Sequence, residues 1–312
     1  MSRLNILFLT KDRTHQMEKS SHYFGEELKK QCNLTIWTED GHIANILRQI
    51  PFTPDFIFIN DVIDPRLAPT IQGLKNIKIP TGVLFHDISY EIQKRKQYVI
   101  SHNIDYVFTH YREAFLKWFP EFRNRMVWVP HSVNVDVHKD YMQKKTIDML
   151  MMGATVRTVY PLRDYMLKKL THQPGFIYHP HPGYCEVDKV EKGSLVGKDY
   201  AMEINRAKIF FTCNSVFKYP LMKYFEVLAC NTLLLAPLSK DLQELGFRDG
   251  VNCVDVGYTN FLQKANYYLQ NEQERKKIAQ NGYQMVRMMH TTKHRVEQFL
   301  IIIRRLVEER NR

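Results

Sequence analysis

The sequence predicts an α/β protein of two Rossmann-like, doubly wound domains facing a cleft, with a C-terminal helix crossing back to the first domain. Three observations lead there. Short apolar runs recur without polar alternation, which is the pattern of strands covered on both faces, as in a parallel sheet. Each run is followed by a stretch of helical length and amphipathic composition, as crossovers require. The whole pattern restarts after a polar connector at 138–145, and 312 residues are too many for one ordinary core.

In the first part the runs are LNILFLT, LTIW, DFIFIN, TGVLF, DYVFTH and MVWVP, with helices expected over 18–31, 65–75, 89–101 and 111–118. In the second they are IDMLMMG, FIYH, KIFFT, TLLLA and VNCVDV, with helices expected over 161–170, from 197, over 220–230 and over 259–281. The final stretch, 295–310, sets Val296, Phe299, Leu300, Ile303, Leu306 and Val307 on one apolar face that must dock on something. The expected domains are therefore 1–137, 138–290 and a helix, 291–312, packed back on the first.

Composition narrows the class. With 44% hydrophobic and 25% charged residues the chain reads as an ordinary globular protein. No apolar stretch approaches the span of a bilayer, and the opening MSRLNILFLTKDR lacks a cleavage region, so a cytoplasmic location is expected. The five cysteines, Cys32, Cys185, Cys213, Cys230 and Cys253, form no CxxC pair, and four lie in or beside apolar runs, which points to buried thiols rather than zinc ligands. The net charge of +11 favours anionic partners. Its clusters, 94–96 and 304–305, fall in helical stretches and read as solvated faces, so no nucleic acid is expected, while an anionic polymer or a peripheral membrane contact stays open. Neither half carries a GxGxxG or a Walker loop, which removes support for dinucleotide enzymes and P-loop kinases.

The stretch from Lys218 to Val254, KYPLMKYFEVLACNTLLLAPLSKDLQELGFRDGVNCV, is the most informative. Pro220 suits a first helical turn, Asn231 a left-handed cap, and TLLLA a buried strand directly after. The start of such a helix faces the carboxyl edge of the sheet, where open α/β folds bind ligands. Lys223, Glu226 and Cys230 share one helical face at i+3 and i+4. A carboxylate in a mostly buried helix needs partners, and the vicinal hydroxyls of a ribose would satisfy Glu226 bidentately. An intrahelical ion pair with Lys223 would satisfy it as well.

FEVLACNTLLLA, LGFRDGVNCV and AQNGYQMVRMMHTTKHRVEQFL, in that order, resemble the glycosyltransferase family 1 and 4 type of GT-B enzymes, within it the CgeB-like branch. The first is similar to the family's E-A-x-A-x-G-x-P-V-I segment, the second to L-x-x-D-G-x-N-x-V, the third to its closing helix with a His-Thr pair. The resemblance implies a metal-independent hexosyltransferase of bacterial type. It would move a sugar from a nucleotide donor such as a UDP-sugar to a glycan, protein or anionic polymer, with retention of configuration and no cofactor. Glu226 would hold the donor ribose as the second carboxylate of E-x7-E. Lys218 stands where the first carboxylate belongs, which leaves Lys218 and Lys223 as candidates for the donor phosphates. Tyr219 and Pro220, between them and the helix, join the donor side.

A departing diphosphate needs positive charge or helix N-terminal amides. MMGATVRTVYPLR ends a strand and starts a helix at Pro161, which puts Arg157 and Arg163 at the cleft edge as donor ligands or as surface arginines near a helix start. In YHPHPGYCE, His179 and His181 suggest either a metal or, preferred here, a loop lining the nucleotide pocket, with Tyr184 stacking on the base. LFHDISY places His86 and Asp87 at a strand end. There they are either catalytic groups on the acceptor side, as the resemblance implies, or, for Asp87, a helix cap. A nucleotide-sugar epimerase, or a binding protein that has lost turnover, is the alternative on the same plan.

Overall fold

In the computed structural model, which describes residues 3–310, the chain divides into two compact units. The ends of the first and last predicted segments, residues 1–2 and 311–312, lie outside the described residues. The elements run β1 (Asn5–Leu9), α1 (Ser20–Gln31), β2 (Asn33–Trp37), β3 (Gly41–His42), α2 (Ile43–Gln49), β4 (Phe56–Asn60), β5 (Ile71–Gln72), β6 (Thr81–Phe85), α3 (Ile92–Ser101), β7 (Tyr106–Thr109), α4 (Arg112–Trp118) and β8 (Met126–Trp128). They continue with β9 (Ile147–Met152), α5 (Pro161–Leu170), β10 (Phe176–His179), α6 (Gly197–Arg206), β11 (Ala207–Phe211), α7 (Met222–Ala229), β12 (Leu233–Leu235), α8 (Lys240–Glu244), α9 (Phe261–Gln270), α10 (Glu272–Met289) and α11 (Thr292–Arg310).

The first unit takes the chain to Pro130 and again from Thr292; the second is His131–Thr291. Residues 131–137 go with the second unit, where the Val133 N–H donates to the His290 carbonyl at 3.0 Å and Val133 pairs with Thr291. In the first unit a parallel sheet has the order β2-β1-β4-β6-β7-β8. Its central strands, NILFL, FIFIN and TGVLF, are apolar at nearly every position because helices cover both faces. Ile6, Phe8, Phe56, Phe58 and Phe108 share one core with Leu28 of α1 and with Val296, Phe299, Ile303 and Leu306 of α11. The apolar stripe of the last helix thus buries against this sheet.

In the second unit the parallel order is β10-β9-β11-β12. Its core joins Met149, Met151, Ile209, Phe211, Leu233 and Leu235 to Met166 of α5 and Ile278 of α10. In each sheet the chain reverses its direction of advance once, between β1 and β4 and between β9 and β11. The carboxyl ends at those two reversals are where open α/β sheets bind ligands. Among the described residues no helix is long and apolar enough to cross a membrane.

The structure corrects several expected elements. The stretch 65–75 is no helix: Pro69 interrupts it, Gly73 sits at φ 81°, and the segment supplies the two-residue strand β5 and a 3-10 turn. Helix α2, which the pattern did not suggest, occupies 43–49. VNCVDV is extended but touches the sheet through one bridge, Val254 to Leu235, because Asn252 ties its start into a turn with Arg248 and Gly246. The expected helix 259–281 is two helices broken at Asn271. Arg95 does not line a solvated face: it is 2% exposed and ion-paired with Asp61 at 3.0 Å.

Candidate functional site

Helix α7 begins after Leu221, so Pro220 precedes the helix rather than forming its first turn. Tyr224, Phe225, Val227, Leu228 and Ala229 are buried, which leaves Lys223 and Glu226 as its polar positions beside the carboxyl ends of the strands. Asn231 takes the left-handed conformation, φ 52°, that the sequence led us to expect. Thr232 behind it is buried and donates to the Ile204 carbonyl at 2.7 Å, so the helix ends on a rigid seat.

The Glu226 carboxylate is 12% exposed, and among the described residues two side chains meet its oxygens. The Tyr200 hydroxyl, from α6, donates to Oε2 at 3.0 Å, and His138 Nε2 lies 3.8 Å from Oε1. Burial, then the adjacent carboxylate, pushes the Tyr200 phenol well above its usual range, so it stays a donor. Burial also lowers the His138 pKa against the pull of Glu226, and the imidazole is neutral at pH 7. Neutral partners leave the carboxylate with acceptor capacity to spend.

Lys223 lies one turn earlier. Burial depresses its pKa, Glu226 opposes that, and Arg163 adds to it. Among the described residues its Nζ makes no hydrogen bond or ion pair; it rests 5.5 Å over the Tyr200 ring. A cation so placed gains from an anionic ligand.

Gly153 lets this lysine in. It directly follows β9 at φ 121°, and a Cβ there would stand 2.9 Å from Lys223 Cε and 3.4 Å from Arg163 Nη1. Gly153→Ala is therefore expected to cost about 1–3 kcal/mol in urea unfolding through backbone strain. It should also displace the Lys223 ammonium.

Arg163 spans the reversal of the sheet. Nη1 donates to the Ala154 carbonyl after β9 at 2.7 Å, and Nη2 donates to Thr212 Oγ1 after β11 at 2.9 Å. It is 2% exposed and stacks on Tyr160, so it is not the surface arginine its place near a helix start allowed. Its charge is felt at the site, where it and Lys223 help burial lower the pKa of His181.

Of the donor-side residues expected from the sequence, Glu226, Lys223 and Arg163 come together. Arg157 and Lys218 are exposed in loops, Lys218 in a turn at φ 58°. Tyr184 is 68% exposed and packs against the His181 ring at 4.7 Å. Tyr219 and Pro220 are buried in the approach to α7. His179 is committed to Glu203 at 3.0 Å. Tyr200, His138 and Gly153 were not singled out as ligand-site residues, and only Gly153, at a strand end, carried a usable signal. The contacts of Tyr200 and His138 with Glu226 span 26 and 88 positions of sequence and are made by chain tracing alone.

His86 and Asp87 belong to the first unit, at the carboxyl end of β6. Asp87 is exposed, and its Oδ1 accepts from the Ser89 N–H and hydroxyl at 3.0 and 2.6 Å, a turn-forming role before α3. His86 Nε2 is 2.6 Å from Asn60 Oδ1.

Residues 157–301 match the glycosyl transferase-like family model. The match takes in just under half of the chain and includes Arg163, Tyr200, Lys223 and Glu226. No curated protein matches the chain significantly. Among solved structures, HepE from Anabaena in complex with UDP and glucose is similar with TM-score 0.62 at 10% identity, over 96% of this chain and 99% of that one. Sucrose-phosphate synthase from Thermosynechococcus elongatus has TM-score 0.70 at 12% identity, over 98% and 100%. A glycosyltransferase from Rickettsia africae has TM-score 0.62 at 11% identity, over 98% and 99%. The chain therefore has the α/β fold of GT-B glycosyltransferases, with two Rossmann-like units.

Proposed function

We propose that the protein transfers a hexosyl group from a nucleotide-sugar donor, a UDP-sugar first among them, to a hydroxyl acceptor. The observation that carries this reading is Glu226 at the ligand end of the second sheet, held by Tyr200 and one turn from the uncommitted Lys223. The carboxylate accepts from the two ribose hydroxyls, and Lys223 meets the diphosphate. Arg163 ties the two strand ends together and adds positive potential from behind. Lys218, Arg157 and Tyr184 are exposed groups for the rest of the donor.

As the bond from the anomeric carbon to the diphosphate oxygen breaks, negative charge gathers on that oxygen. Lys223 stabilises it in a site of low polarity, the task a metal ion performs elsewhere. The acceptor oxygen bonds to the anomeric carbon, and its proton passes to the departing phosphate oxygen, a front-face course that retains configuration. His86 and Asp87 serve the acceptor side. The CgeB-like branch fits the order of the three motifs, and the HepE complex with UDP and glucose supports the donor class.

A thermal-shift titration with UDP tests the reading. The wild type is expected to gain stability in proportion to RT ln(1 + [UDP]/Kd). Glu226→Ala should raise Kd roughly ten- to hundredfold, the worth of charged hydrogen bonds to the diol of about 1.5–3 kcal/mol. Glu226→Gln, which keeps an acceptor for Tyr200, separates lost binding from lost folding. Equal UDP stabilisation in all three proteins would overturn the assignment. Binding without release of UDP from UDP-glucose on offered acceptors would favour the non-catalytic binding protein, which Lys218 at the first carboxylate position keeps in view.

A further inference from the structure

At the reversal of the first sheet a buried amide faces a histidine, and the hydrogen bonds around it settle which ring nitrogen carries the proton. Asn60, at the end of β4, is 1% exposed. Its Nδ2 lies 2.9 Å from Thr10 Oγ1, 2.9 Å from Ser21 Oγ and 3.3 Å from the Leu67 carbonyl oxygen. A carbonyl oxygen only accepts, so the amide nitrogen must face it. The Thr10 hydroxyl sends its own proton to the same carbonyl at 3.1 Å and is left to accept from Asn60. The other end of the amide, Oδ1, can then only accept. It faces His86 Nε2 at 2.6 Å, so Nε2 must be the protonated nitrogen.

We propose that Asn60 is a positioning residue that locks His86 in its Nε2–H tautomer and leaves Nδ1 as an open hydrogen-bond acceptor for a substrate hydroxyl. Nδ1 has no protein partner among the described residues. The surrounding charges agree with a neutral ring. Asp61, which accepts from the His86 backbone N–H at 3.2 Å, is spent on Arg95. His110, 5.5 Å away, is itself pushed down to about 3 by burial and by His86. Burial lowers the His86 pKa against the pull of Asp61 and Glu18, while Arg95 and Arg13 add to the lowering. An open imidazole nitrogen takes a hydroxyl or another donor and repels carbonyl and phosphate oxygens, so it suits the acceptor side of a glycosyl transfer. The hydroxyl's place in that reaction rests on the proposed function; the tautomer does not.

Long-range 1H–15N correlation spectra of protein labelled at the histidine rings test this directly. At pH 7 His86 is expected to show a protonated Nε2 and an unprotonated Nδ1, with no second form. In Asn60→Leu the lock is gone, and a mixture of tautomers should appear. Asn60→Asp keeps an accepting oxygen, so it should restore the Nε2–H form with a higher pKa. A wild-type ring protonated at Nδ1, an imidazolium at pH 7, or a folded Asn60→Leu protein with unchanged tautomer would overturn the proposal. If Asn60→Leu does not fold, the wild-type and Asn60→Asp spectra still decide it. UDP stabilisation, which reports on Glu226, should persist in the Asn60 variants, so failure of the donor reading and failure of the tautomer reading are seen separately.

Discussion

Arg95→Met is expected to destabilise the protein by about 3–5 kcal/mol at pH 7, because it strands the Asp61 carboxylate in the interior. Both partners are within 2% of full burial, Nη1 meets Oδ1 at 3.0 Å, and Arg95 Nε also donates to the Tyr90 carbonyl at 3.0 Å. Burial pushes the Asp61 carboxyl up. Arg95 outweighs it, with His86 and the N–H of Ile63, and the group is held below the usual carboxylate range. A folded-state pKa below the unfolded one near 3.9 means stability that is present above pH 4 and lost as pH falls through the folded value. In the variant the sign reverses. With no guanidinium, burial dominates, the carboxyl titrates above 3.9, and the folded state weakens as pH rises. Urea unfolding at pH 4.5 and 8 checks this: the cost of Arg95→Met should be smaller at the lower pH. An equal cost at both would mean that Asp61 does not depend on Arg95. Asp61→Asn on the Arg95→Met background, which removes the stranded charge and tolerates the φ of 78° at that position, should recover most of the loss.

Phe299→Ala should cost a similar amount, about 3–5 kcal/mol, through the cavity it leaves. The ring is fully buried and meets Phe58 at 4.8 Å, Phe24 at 5.3 Å and Phe108 at 5.5 Å between centroids. Those partners come from β4, α1 and β7, so this one side chain joins α11 to three elements of the first unit. Hydrogen exchange distinguishes local from global damage: amides of α11 should lose protection first, ahead of those in β1 and β4. Uniform loss of protection would mean that the last helix is inseparable from the sheet it covers.

Much of this architecture is legible in the chain because strands buried on both faces can tolerate little but apolar residues. FIFIN, TGVLF and KIFFT therefore announce themselves, and VNCVDV misleads for the same reason, being apolar in a segment that an asparagine side chain has tied into a turn. Helix 65–75 failed where Pro69 and Gly73 outweighed composition. In the site, a carboxylate in an apolar helix marked Glu226, and its neighbour Lys223 followed from helical spacing. Arg163 was legible as a basic residue at a helix start, but not as a brace across two strand ends.

Sequence by itself determined the two-unit α/β plan, the apolar stripe of the last helix and the polar pair on α7, since these follow from unbroken apolar runs and from the 3.6-residue helical period along one segment. Tertiary structure alone decided that Tyr200 and His138 flank Glu226, that Asp61 neutralises Arg95, and that Asn60 faces His86. Such pairings join residues 26 to 88 positions apart. No local pattern encodes them, because a buried polar group takes whichever partner the packed strands and helices bring within about 3 Å.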